Sequence, residues 1–238
     1  MATVELEARA PTRVESVPDL CAGDRLTRAE FERRYSAMPH VNKAELVEGV
    51  VYMPSPVSHA RHSLQNQRVI LWSGNYGLAT PGVDCCVNAT LRLDLDNEPQ
   101  PDAFLRILPE AGGQSRDDGG FVAGAPELIV EIAASSVSYD LHDKLRAYQR
   151  NGVLEYVVWR VWDQAIDWFV LRDDRFQRLA LALDACYRST VFPGLWLDPA
   201  AMVADDMQRV MAVLQQGLAT PEHADFAAKL RAAASKPT

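Results

Sequence analysis

Two short segments place acidic side chains where apolar neighbours make them costly. In QPDAF, Asp102 follows a proline at the head of an apolar run, and in PELIVEIAASS, Glu131 interrupts a continuous one. A carboxylate withdrawn from water has to be paired, protonated or bound to a metal. Lys144 lies a little further along, and Glu45 sits in a third apolar stretch, AELVEGVVYM. Hydrolysis of a phosphodiester calls for a water made nucleophilic near neutral pH and for positive charge to meet the developing phosphorane. Mg2+ supplies both and takes carboxylate oxygens as ligands. Glu45, Asp102 and Glu131 offer three such ligands. Lys144 offers a cation to orient or deprotonate the attacking water, or to neutralise charge.

Each of these residues also has a plainer reading. Asp102 after Pro101 suits a turn at a strand end. Glu45 and Glu48, three apart on a strand, face opposite ways, so at most one meets the site, and Glu48 reads as a solvent or turn residue. Asp140, Lys144 and Tyr148 form one helical stripe, consistent with an ordinary Asp–Lys pair beside a core tyrosine, with Asp140 capping the helix. His59 and His62 have a spacing open to metal, but without a third His or a Cys the zinc reading is weak, and His62 reads as structural or close to substrate. Arg146 and Arg150 suit either phosphate or a solvated face. Trp159, Trp162, Trp168 and Trp196 read as core or subunit contacts. Glu131 alone has no comfortable plain reading.

The elements that would position these groups follow from periodicity and punctuation. LTRAEFERRY reads as a helix with Thr27 as N-cap, Glu30 completing a capping box and Leu26 with Phe31 as a staple. AELVEGVVYMPSP holds a strand pair or one long strand stopped by Pro54 and Pro56. HSLQNQRVILWSGNY is helical, with Leu64, Val69, Leu71 and Trp72 on its apolar side. CCVNATLRLDL alternates as one half-buried strand, with QPDAFLRIL as its hairpin partner, and residues 109–125 read as a surface loop. ELIVEIA has the continuous character of a central strand buried on both faces. It leads through LHDKLRAYQRNG, a helix ended by Gly152, into the strand VLEYVVWRV. AIDWFVLR and DDRFQRLA are further strands. Helical patterns run from Pro199 to Gly217 and from Pro221 to Ala233. The strand–helix–strand unit from Glu127 to Arg160 predicts an α/β fold with a partly parallel, mixed sheet.

The 238 residues are 48% hydrophobic and 24% charged, as expected for a globular chain with a sizeable core. No stretch has membrane-spanning length, the N-terminal residues do not follow a signal-peptide pattern, and the four cysteines show neither a disulfide framework nor a zinc spacing. A cytoplasmic location is the expectation. The net charge of −8 repels nucleic acid at long range, so a DNA contact would need a local basic surface or a metal.

The ordered series AELVEGVVYMPSP, His62 at a helix start, QPDAF, GAPELIVEIAASS, DLHDKLRAYQRNGVLEYVVW and IDWFVL resembles the PD-(D/E)XK nuclease superfamily, and within it the Uma-type restriction endonucleases. The resemblance spans Leu26 to Asp198. It implies a restriction-endonuclease-like core over residues 24–198, flanked by a flexible arm (1–23) and a helical extension (199–238). It also implies Glu45, Asp102 and Glu131 as ligands of Mg2+, with Mn2+ as substitute, and Lys144 as the basic residue. The superfamily places its lysine two residues after the acid, where this chain has Ala133; the Uma-type family is similar to this chain in carrying it on the following helix. The implied activity is endonucleolytic cleavage of DNA by a homodimer. A non-cleaving binding or regulatory module on the same fold is the alternative, favoured by the acidic charge and the displaced lysine.

Overall fold

The computed structural model describes residues 17–53, 62–134 and 137–235. His59, Pro54 and Pro56 lie outside the described residues. The helix α1 (Arg28–Ser36) starts after Thr27 as predicted, but without the capping box: the Thr27 side chain makes no capping bond, and the Glu30 carboxylate accepts from Arg33 and Arg34. β1 (Glu45–Val47) and β2 (Val50–Tyr52) form a hairpin whose two-residue turn puts Glu48 and Gly49 at positive φ, the backbone a tight hairpin requires. Glu48 is thus a turn residue. Together with α1 the hairpin builds a small core of Leu20, Phe31, Met38, Ala44, Leu46 and Val51.

α2 (Ser63–Ala79) follows, burying Val69 and Trp72 but leaving Leu71 exposed. The alternating segment expected as one strand is two. β3 (Val83–Val87) ends where Asn88 takes a positive φ of 51°, and the chain leaves the sheet before β4 (Leu91–Arg92). β3 still pairs antiparallel with β5 (Ala103–Ile107), as predicted for the two segments. Residues 109–125, expected as a loop, hold a 3-10 turn (Pro109–Ala111) and the hairpin of β6 (Arg116–Asp118) and β7 (Phe121–Ala123). β7 pairs with β4 in a separate three-stranded sheet, which gives the residues cast off at Asn88 their partner.

β8 (Leu128–Ala133) is buried throughout and lies inside a six-stranded mixed sheet. It runs antiparallel to β5 and parallel to β9 (Glu155–Arg160), with β10 (Ala165–Arg172) and β11 (Arg175–Arg178) completing one side. The connection from β8 to β9 is helical, in three pieces: α3 (Val137–Tyr139), a π-helical turn (Asp140–Lys144) and α4 (Leu145–Arg150). Gly152, at φ 80°, follows the C-cap Asn151 as predicted. Asp140 does not cap the helix, which begins at Val137; it lies inside the helix and is buried.

The two faces of β8 serve different cores. Leu128, Val130 and Ile132 pack with α2 and with Val210 and Leu214, while Ile129 and Ala133 pack with Tyr148, Tyr156 and Phe104. Glu131 shares the second face by the period-two rule. The small sheet of β12 (Tyr187–Arg188) and β13 (Trp196–Leu197) leads to α5 (Pro199–Val203), α6 (Met207–Leu218) and α7 (Pro221–Ala234). The single helix expected from Pro199 is two, broken where Asp205 takes a positive φ and the Asp206 side chain caps α6 through the Arg209 N–H. Among the described residues no helix is long and apolar enough to cross a membrane.

Candidate active site

Three strand ends and one helix converge on the second face of the sheet. The register Ala103↔Val130 puts Asp102 level with Glu131 on the neighbouring strand. The Asp102 Oδ2 atom accepts the Ile132 N–H at 2.7 Å, and Oδ1 lies 3.1 Å from His62 Nε2 at the start of α2. Glu45, on the hairpin, accepts the Gln100 N–H at 2.7 Å, so the chain just before Asp102 fixes it. Lys144 joins the pieces. Its Nζ donates to Glu131 Oε1 at 2.8 Å and to Glu45 Oε1 at 3.2 Å, and stands 3.9 Å from Asp140 Oδ1. Tyr148 donates its hydroxyl to the same Glu131 oxygen at 2.8 Å.

The four residues singled out from the sequence therefore lie together, and all are buried: Glu45, Asp102 and Glu131 are 4% exposed and Lys144 3%. Lys144 and Tyr148, four apart on one helical stripe, reach the same oxygen. The sequence reading placed Tyr148 as a packing residue and missed its hydrogen bond; the stripe with Lys144 was the signal that could have revealed it. The contacts of His62 and Gln100 could not be read from spacing. Arg146 and Arg150 do not join the cluster. Arg146 pairs with Asp143, and Arg150 with Glu48 and Asp94, all with large exposure of the arginines.

The electrostatics are those of a cluster short of positive charge. Burial, reinforced by Asp102, Asp140 and Glu45 and opposed by Lys144, pushes the Glu131 carboxyl up to about 8. Asp102 goes the other way. Burial would raise it, but His62, the Ile132 N–H and Lys144 outweigh that and hold it below the usual range. Burial would strip Lys144 of its proton, yet Glu131 and Glu45 more than compensate, so it stays a firm cation.

A model of the family described as "Putative restriction endonuclease" (Uma2) matches residues 28–200, most of the chain. The chain belongs to that family. A structural neighbour is described as a putative nuclease belonging to DUF820 from Anabaena variabilis ATCC 29413. It is 13% identical, with 76% of this chain and 97% of that chain covered at a TM-score of 0.51, a likeness of fold. Among curated proteins none matches. The restriction-endonuclease-like α/β core expected from the sequence is the fold observed.

The donor chemistry of this Uma2 site suits a hard divalent cation. The carboxyls of Glu45, Glu131 and Asp140 stand around one ammonium with Asp102 hydrogen-bonded alongside, and burial with the neighbouring like charges raises Glu131. Among the described residues no three of His, Cys, Asp or Glu stand at metal-ligand spacing. The Lys144 ammonium lies where the two glutamates meet.

Proposed function

We propose that this chain is a Mg2+-dependent endonuclease that hydrolyses DNA phosphodiester bonds. The observation that carries the reading is the junction at Lys144 Nζ, which draws Glu45 and Glu131 from separate sheets to one point beside Asp102. Glu45, Asp102 and Glu131 would hold the cation, which when bound supplies a water of lowered pKa and a Lewis acid for the phosphate. Lys144 keeps its proton, so its part is to orient the water and meet charge developing on a phosphate oxygen. Tyr148 fixes Glu131 by donating to Oε1, and His62 with the Ile132 N–H fixes Asp102. Burial of the cluster excludes bulk water and strengthens each of these contacts. Plasmid nicking in Mg2+ tests the proposal. The wild-type chain nicks, and Asp102→Ala and Glu131→Ala do not while remaining folded by circular dichroism. Undiminished nicking by both variants would sink the assignment.

One observation favours a second reading, a nuclease fold serving as a binding or regulatory module. Lys144 already supplies a cation to Glu45 and Glu131. Calorimetry with Mn2+ separates the two: saturable binding that Glu131→Ala removes belongs to the nuclease, and absence of binding belongs to the module.

A further inference from the structure

The hydroxyl of Tyr139 is shut off from solvent without a hydrogen-bond partner among the described residues. Three other tyrosine hydroxyls in this region are engaged. Tyr52 donates to Asp143 Oδ2 at 3.0 Å, Tyr148 to Glu131, and Tyr156 to the Asp140 carbonyl. The Tyr139 ring itself is held firmly. The Tyr52 ring lies 4.0 Å away between centroids, and Lys144 Nζ stands 5.2 Å from its centroid. A buried hydroxyl left unpaired opposes folding, and an acceptor brought to the site would satisfy it.

The helix geometry points the same way. Tyr139 and Lys144 are five residues apart, and on an α-helix such residues project about 140° from one another. The chain between them is the π-helical turn Asp140–Lys144, whose i→i+5 hydrogen bonding widens the turn and brings the two side chains closer to one face than an α-helix would. A wider, less favourable turn is thus what sets the Tyr139 ring against the Lys144 ammonium. Burial and the charges of Glu45 and Glu131 keep the phenol protonated, with Lys144 opposing, so Tyr139 is a donor. The oxygens of Glu45, Asp102 and Glu131 described above take their bonds from Lys144, Tyr148, His62 and backbone N–H groups instead. Lys144 Nζ lies over the face of the Tyr139 ring, so the ammonium and the phenol border the same part of the site.

We infer that Tyr139 is a further catalytic residue, its hydroxyl donating a hydrogen bond to a non-bridging oxygen of the phosphodiester held beside Lys144. This rests on the nuclease reading of the site. The test is Tyr139→Phe, which keeps the ring against Tyr52 and removes only the donor. It is measured by denaturant unfolding, Mn2+ calorimetry, nicking in Mg2+, and calorimetry of thymidine 5′-monophosphate in Ca2+. The unfolding midpoint stays or rises and Mn2+ affinity holds within about two-fold, while nicking falls about 10- to 100-fold and the nucleotide binds about five-fold more weakly. Nicking and nucleotide binding equal to wild type would overturn the inference and leave the nuclease reading intact. A lowered midpoint together with lost Mn2+ affinity would mark a structural role and overturn it as well. If wild type binds the nucleotide but does not nick, the binding comparison decides alone. If wild type does neither, both readings fall.

Discussion

Glu131 and Glu155 are buried glutamates on adjacent parallel strands of one sheet, and they live in opposite surroundings. Glu155 is fully enclosed and accepts from the Ser189 and Thr190 hydroxyls and the Thr190 N–H, all neutral donors. Glu131 faces a cation and three other carboxyls. Burial raises both carboxyls, but like charges add to it only at Glu131. Neutral dipoles that satisfy one acid completely are the means of tying a loop to a strand. Acids crowded together beyond what one lysine can neutralise oppose folding, the pattern that marks a candidate functional site.

The comparison can be broken in several ways. The widest gap is in cleavage: Glu131→Ala lowers nicking on the order of 10³-fold or more, and Glu155→Ala leaves it within a few-fold once the protein is folded, as measured on supercoiled plasmid. Equal losses would mean that the two acids do the same kind of work. Next comes Lys144→Met, which strands Glu45, Glu131 and Asp140 without their ammonium. It costs about 3–5 kcal/mol in urea unfolding near neutral pH, and Mn2+ recovers more of that in the variant than in wild type. Recovery no greater than in wild type would argue against a cation at this cluster. Glu155→Ala costs less, about 3 kcal/mol, because two hydroxyls and one N–H lose their acceptor, and metal does not restore it.

A subtler difference lies in pH. The folded Glu131 carboxyl at about 8 is above its ordinary value of 4.5. The folded state thus favours the protonated acid, a contribution complete below pH 4.5 and lost as pH rises through about 8. In metal-free buffer, Glu131→Gln removes that loss, so its stability advantage over wild type widens across this window. A constant offset in the unfolding curves would contradict the assigned shift. The smallest effect is expected at the exposed pairing of Arg150 with Glu48 and Asp94: Arg150→Ala changes stability by less than about 1 kcal/mol.

The same contrast explains what the sequence could reveal. A carboxylate inside an apolar run draws attention to Glu131, but Glu155 in VLEYVVW and Asp167 in AIDWFVLR satisfy that rule equally. Asp167 is buried and paired with Arg160 and Arg178, an ordinary ion-pair knot. The ordered series of segments, not burial alone, separated the site acids from these. The strands β5, β8 and β9 were legible because their apolar runs are continuous. The break at Asn88 and the wide turn at Asp140–Lys144 were not, since both depend on distant packing that leaves periodicity intact. For the same reason, that Tyr139 and Lys144 would lie together was hidden by their five-residue separation.

The hairpin carrying Glu45 belongs to a small core of its own and is stitched to the chain before β5 by the Leu46–Glu98 bridge and the Gln100 N–H. The other two acids stand on the main sheet. Opening of the small core alone would carry off one of the three while the six-stranded sheet kept its protection from hydrogen exchange. On the nuclease reading, the three acids act as a coincidence detector, together only while the two cores are docked.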